Sequence, residues 1–334
     1  MRRSCFSTLR QLQHDNPLGL PRSGTPPSFP RRRGLPEQRK IRDVNKIVAV
    51  SSAKGGVGKS TIAVNLALAL ARRGIRTGIL DTDIFGPSIP TLLNLSGEPR
   101  LDDNNCLIPL TNYGLKSMSM GYLLPPPAPG STITSSDPNV PPLDTTPISW
   151  RGLMVSKAMN QLLHSVSWGP LDVLILDLPP GTGDVQLTIN QEVMVDGAVI
   201  VSTPQDIALR DAVRGYGLFE KMNVPVLGMV RNMAFFACPH CGKETKIFSR
   251  GSNAPHSGHG LHTTESHDSG VVAACERLGI EFLGDVPLDG RVCEDADRGI
   301  PTVVAEESNV NSPRRNAFLN IAEKVVKKIG LEWK

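Results

Sequence analysis

The stretch SSAKGGVGKST (51–61) constrains this chain more than any other. A short apolar run, KIVAVSS (46–52), leads into it. STIAVNLALALARRG (60–74) leaves it with helical spacing and stops at Gly74. Gly55, Gly56 and Gly58 let the backbone curl so that its N–H groups point inward. Those groups, with the positive end of the helix, bind phosphate oxygens. Lys59 is placed to reach the β- and γ-phosphates of a nucleotide, and Ser60 to set its hydroxyl on Mg²⁺. The cradle so expected runs through Ala53, Lys54, Gly55, Gly56, Val57, Gly58, Lys59, Ser60 and Thr61. Ala53 stands where the motif G-x-x-x-x-G-K-[ST] begins with glycine. An alanine holds that turn if its φ is negative.

The pattern after the loop predicts an α/β chain. RTGILDTD (76–83), LKSMSM (115–120), LDVLILD (171–177), GAVIVST (197–203), VPVLGMVRN (224–232) and IEFLGDVP (280–287) read as further strands. Helical spacing marks 151–166 and 204–222 between them. Short apolar strands alternating with helices predict a doubly wound, mainly parallel sheet. Two stretches interrupt the alternation. Residues 123–147 and 249–270 are rich in Pro, Ser, Thr and Gly, supply no core, and read as flexible insertions.

Two carboxylates complete the expected site. Asp81 and Asp83 end one strand, and Asp177 ends another. Asp177 is expected to hold the Mg²⁺ shell, and resemblance to P-loop ATPases with a similar pair of strand-end acids implies that Asp83 orients an attacking water and senses the γ-phosphate. Pro179, Pro180, Gly181 and Gly183 follow as a loop suited to moving when that phosphate leaves. Asn232, ending GMVRN, stands where similar ATPases recognise adenine with an Asn side chain, and that resemblance implies the same contact here.

Charge separates the ends of the chain. Residues 1–40 carry nine basic side chains against two acids, Asp15 and Glu37; the remainder holds 27 basic against 30 acidic. The Arg- and Ser-rich leader fits a mitochondrial transit peptide and lacks the apolar core of a secretory signal. It leaves 41–334 as the ATPase domain. The mildly acidic body gives no electrostatic footprint for nucleic acid. No apolar run approaches the roughly 20 residues that span a bilayer.

Cys238 and Cys241, in AFFACPHCGKET (234–245), are spaced as metal ligands, and no second C-x-x-C exists in the chain. His240, between them, is expected to point away from a shared metal. His256, His259, His262 and His267 sit in low-complexity sequence and are expected not to ligate. Cys106, Cys275 and Cys293 read as single buried thiols. Lys54 is a second lysine in a loop that needs only Lys59. It resembles the signature lysine of the deviant P-loop group that includes MinD, ParA and the nitrogenase iron protein. In that group the lysine reaches a partner's nucleotide across a dimer interface. A twofold dimer presents every loop twice, so two C-x-x-C loops near its axis supply four thiolates. Four thiolates suit zinc or an iron–sulfur cluster alike.

The segments SSAKGGVGKSTIAVNLALAL, DTDIFGPSIP, WRGLMVSKAM, DLPPGTGDVQLT, VIVSTPQDIALRDA, CPHC and FLGDVPLD together resemble the Mrp-type iron–sulfur scaffold ATPases. Within them the chain is most similar to the mitochondrial NUBPL-like branch. The resemblance implies a slow ATPase, homodimeric, bridging a labile [4Fe–4S] cluster through Cys238 and Cys241 of each chain. It further implies action in the mitochondrial matrix and clients among respiratory complex I subunits. Two alternatives remain at this level. One is a zinc-bridged dimeric ATPase. The other is a MinD/ParA-type positioning ATPase whose basic tail (313–334), with its stripe of Phe318, Ile321, Val325 and Ile329, associates with a membrane surface.

Overall fold

The computed structural model describes residues 38–84, 86–123, 132–133, 143–144, 152–181, 184–238, 243–248 and 269–333. Residues 1–37 of the leader, most of both insertions, Gly183, His240, Cys241 and the four insertion histidines lie outside the described residues.

Strand β1 (Val44–Ser51) is buried without a break from Ile47 to Ser51, as an apolar run covered on both faces must be. Helix α1 (Lys59–Arg72) follows the glycine-rich turn. The chain continues through β2 (Thr77–Asp81), the single-turn α2 (Ile89–Leu92), β3 (Leu110–Asn112) and β4 (Leu115–Ser119). Then come α3 (Gly152–His164), β5 (Leu171–Asp177), α4 (Asp184–Glu192), β6 (Gly197–Ser202), α5 (Asp206–Lys221) and β7 (Val226–Arg231). It closes with α6 (Ser269–Leu278), β8 (Phe282–Asp285), α7 (Gly290–Asp297), α8 (Thr302–Ala305) and α9 (Pro313–Lys328).

The eight strands form one sheet in the order β8-β7-β6-β1-β5-β2-β4-β3. Every neighbouring pair is parallel except β3 with β4. The seven strands expected from the sequence are all present. β3 is the addition, a three-residue edge strand. It pairs Asn112 with Leu115 across a tight turn in which Tyr113 and Gly114 both have positive φ (52° and 78°). That two-residue turn matches the twist of a hairpin.

Helices cover both faces of the sheet, over two apolar cores. One core holds α1 and α9, with Phe318, Ile321, Val325 and Ile329 all buried in it. The stripe on the tail therefore packs on its own domain and offers α9 no apolar face for a membrane. Among the described residues, no helix is long and apolar enough to cross one. α1 is buried from Ile62 to Leu70 because it lies between sheet and helix, which accounts for its run of apolar residues. Asn65, the polar residue in that run, accepts the Val303 N–H at the start of α8 (2.9 Å). The second core takes Leu162 and Leu163 of α3, Ile189 of α4, Phe219 of α5 and Val271 of α6.

β1 lies between β5 and β6: the chain leaves β1 toward β2 on one side and later crosses from β5 to β6 on the other, so the strand order reverses at this point of the sheet. In doubly wound folds ligands bind at the carboxyl ends of strands beside such a switch point.

Candidate functional site

The loop leaving β1 takes the shape the glycines allow. Gly56 and Gly58 have φ of 77° and 80°, where a side chain would be strained. Ala53 and Lys54 have no positive φ, so alanine at 53 is tolerated. The Ser52 hydroxyl donates to the Lys54 carbonyl (2.9 Å), and the Asn232 amide donates to the Val57 carbonyl (2.8 Å). A Cβ at residue 58 would meet that amide nitrogen at 2.3 Å, so close approach as well as φ requires glycine there.

Lys59 is buried beside Asp177 at the end of β5. Its ammonium donates to Asp177 Oδ1 at 2.5 Å and to Ser60 Oγ at 3.2 Å. Burial pushes the Asp177 pKa up, while Lys59 and the Ser60 hydroxyl pull against it. Asp177 Oδ2 is fully buried and makes no hydrogen bond to any described residue. A buried carboxylate oxygen without a partner beside a P-loop hydroxyl suits an octahedral cation that keeps several waters and takes phosphate oxygens. No cluster of three or more metal-ligating side chains exists among the described residues. A site of one carboxylate and one hydroxyl fits Mg²⁺ held with a nucleotide, not a resident all-protein metal centre.

Asp81 and Asp83 differ. Asp83 is half-buried and lines the cavity. Asp81 is 1% exposed and does not line it. Burial first, and the Asp177 carboxylate second, push the Asp81 carboxyl up to about 7, against the pull of the hydrogen bonds it accepts.

The cavity occupies about 570 Å³. Lys54, Lys59, Ser60 and Asp83 line it, together with Asn232, which is hydrogen-bonded to the P-loop, and Met233. Lys54 is exposed and makes no ion pair with a described residue. In the expected switch loop, the Gly181 N–H donates to the Ser52 carbonyl (3.1 Å), and Pro180 lines the cavity.

A further wall was not foreseen. It comes from Pro287, Leu288 and α7, including Val292, Cys293 and Asp297. α7 buries none of its residues, so apolar spacing gave no sign of it. The signal was local: Asp289, before Gly290, accepts the Arg291 N–H as an N-cap. Cys293 is consequently exposed in this wall rather than buried. Cys275 is buried as expected, and Cys106 is half-buried.

The cysteine loop is tied to the same wall. Phe236 and Ala237 pair antiparallel with Thr245 and Glu244, and the Cys238 N–H donates to the Lys243 carbonyl (3.0 Å). Cys238 is thus half-buried at the base of a short hairpin that carries the C-x-x-C. Three residues before Cys238, the Phe235 carbonyl accepts the Leu288 N–H (2.8 Å), and the Ala234 N–H donates to the Val286 carbonyl (3.0 Å). One stretch of backbone therefore runs from the cavity wall at Asn232 and Met233 to the first cysteine.

A family model described as ParA, NUBPL iron-transfer P-loop NTPase, matches residues 43–326. The mouse "Iron-sulfur cluster transfer protein NUBPL" is 45% identical over 89% of this chain and 82% of its own. The Arabidopsis thaliana "Iron-sulfur protein required for NADH dehydrogenase, mitochondrial" is 39% identical over 88% of this chain and 82% of its own. A solved nucleotide-binding protein from Archaeoglobus fulgidus, in complex with ADP, superposes with a TM-score of 0.61. It is 32% identical and is matched over 83% of this chain and 93% of its own.

Proposed function

The chain belongs to the NUBPL iron-transfer P-loop NTPases, and from that premise we propose that it is an ATP-dependent iron–sulfur cluster carrier. The cluster is its cargo, a [4Fe–4S] unit bridged between two copies of the chain by Cys238 and Cys241 of each. The observation that carries this reading is the shared backbone: the hairpin bearing Cys238 is hydrogen-bonded, through Phe235 and Leu288, to a wall of the nucleotide cavity. A nucleotide that shifts this wall also shifts a cluster ligand.

Each residue then has a part. The loop from Ala53 to Thr61 cradles the phosphates, and Asn232 stands at the adenine end. Ser60 and Asp177 hold Mg²⁺, which when bound supplies countercharge to the phosphates. Asp83 orients the attacking water. Lys54, exposed at the rim, reaches the partner's nucleotide, so each active site is complete only in the dimer. The mouse relative's name supports cluster transfer, and the plant relative's name, together with the Arg-rich leader, supports action in the mitochondrial matrix on complex I subunits.

Protein reconstituted without oxygen is expected to hold iron and sulfide and to pass them to an apo acceptor protein at a rate that changes when ATP is supplied. Zinc in place of iron would sink the carrier reading. Identical transfer with ATP, with a non-hydrolysable analogue and with no nucleotide would sink the gating.

Lys54→Ala gives a separate test of the dimer. Turnover is expected to fall tenfold or more. The loss should stay short of the ~10³- to 10⁵-fold supplied by an arginine finger, because lysine is a point charge without a planar fork. Nucleotide affinity measured on the monomer should hardly move. Unchanged turnover would exclude a trans-acting Lys54.

A further inference from the structure

We propose that Asp81 is a positioning residue. It fixes the loop after β2 so that Asp83 stays aimed at the phosphate end of the cavity. The inference rests on the reading that the site hydrolyses a nucleotide.

Asp81 collects donors from three places. Its Oδ1 accepts the N–H of Asp83 (3.0 Å), at the start of the loop. Its Oδ2 accepts the N–H of Ser88 (3.1 Å) and of Ile89 (3.2 Å), where the loop ends in α2. The same oxygen accepts the Ser119 hydroxyl (3.1 Å), from the end of β4. The carboxyl thus takes four donors, three on Oδ2 and one on Oδ1.

The far side of the loop is held by packing. Ser119 Oγ also accepts the Gly121 N–H (3.0 Å). A Cβ on Gly121 would stand 2.7 Å from Pro90 and 3.3 Å from Pro87, so the chain after β4 lies directly against the loop. Among the described residues, Asp83 itself has one weak local tie, accepting the Gly86 N–H at 3.3 Å. Its position therefore depends on the backbone that Asp81 holds.

A helix-capping role alone does not account for this. α2 has four residues, too short to reward a fully buried carboxylate, and Asp81 bonds beyond it to Asp83 and Ser119. Asp81 lies off the cavity, so it acts through Asp83 and not on the ligand.

Asp81→Asn keeps the volume but replaces one acceptor oxygen with an amide that cannot accept. At least one buried donor then faces another donor. In the full chain, amide hydrogen exchange at Asp83, Ser88 and Ile89 is expected to quicken about tenfold or more, as follows when a buried donor loses its acceptor. With ATP, kcat is expected to fall about tenfold while KM stays within about twofold, because the loop from 53 to 61 is untouched. Unchanged exchange at all three amides, or unchanged kcat in a folded variant, would overturn the proposal. Where Asp81→Asn fails to fold, Ser119→Ala decides the matter. It removes one donor and leaves the carboxylate, and should lower kcat more than it raises KM; no effect on kcat overturns the proposal. If the unaltered protein hydrolyses no ATP, the hydrolysis reading fails, and the exchange rates still decide whether Asp81 holds the loop.

Discussion

Cys238→Ala protein, prepared without oxygen, is expected to carry essentially no iron or sulfide and to bind ATP as the unaltered protein does. The separation follows from where Cys238 sits. Its backbone N–H closes the hairpin onto Lys243, and a backbone bond survives the substitution. Its thiol does not line the nucleotide cavity, whose walls come from the P-loop, Asn232 and the segment from Pro287 to Asp297. Alanine is smaller than cysteine, so nothing is crowded. In a twofold dimer one substitution removes two of four thiolates, so the cluster loses half of the ligands that hold it. Cys241→Ala should behave alike, because the dimer uses both residues equivalently. Iron and sulfide assays beside ATP titration make the test. Normal iron and sulfide in Cys238→Ala would place the cluster elsewhere. Lost ATP binding would mean that the hairpin and the cavity wall fold as one unit, and that the variant says nothing particular about cargo.

Most of the sheet was legible because its strands are buried on both faces. β5 and β6 are near-continuous apolar runs, and a run of that kind bounded by polar turns has few other readings. The P-loop was legible because its glycines and lysine answer a backbone requirement. Elements that bury little left no periodicity to find. α7 buries nothing, and β3 is three residues at an edge, announced only by the turn at Tyr113 and Gly114. α6 begins at Ser269, inside a stretch whose composition argued for an insertion. Relations between distant residues were the least accessible. Lys59 and Asp177 are 118 residues apart and meet because β1 and β5 pair in register. Asp83 was set apart from Asp81 by the family resemblance and not by its position at the strand end. Only the fold shows one turned into the protein and the other toward the cavity.

The Lys59–Asp177 pair carries the second large expectation. Lys59→Ala should abolish useful nucleotide binding and also destabilise the protein with no nucleotide added. Both partners are buried, with side chains 7% and 0% exposed, so solvent does little to screen the loss. Removing one partner of a buried pair leaves an uncompensated charge, typically at a cost of about 3–5 kcal/mol. Truncating a buried charge that holds an oppositely charged group costs about 2–5 kcal/mol of binding, thirtyfold or more in nucleotide affinity. The stability deficit should depend on pH in a definite direction. Burial raises the Asp177 pKa in the folded protein, and Lys59 opposes that rise. An acid whose folded pKa lies above its unfolded value takes up a proton on folding. Its contribution is present below the unfolded pKa and is lost as pH rises through the folded one. Without Lys59 the folded pKa climbs further, so the loss of stability in Lys59→Ala should be greater at pH 8 than at pH 5. Lys59→Ala combined with Asp177→Asn separates the two roles. The pair of changes removes the stranded charge, so stability should largely return and its extra pH dependence should vanish. Nucleotide binding should stay lost, because the buried ammonium at residue 59 that meets the phosphates is not restored. Thermal melts at the two pH values, beside ATP titration, decide it. A single variant as stable as the parent at pH 8 would mean that Asp177 finds solvent or another cation there, and that the ion pair does not organise the site.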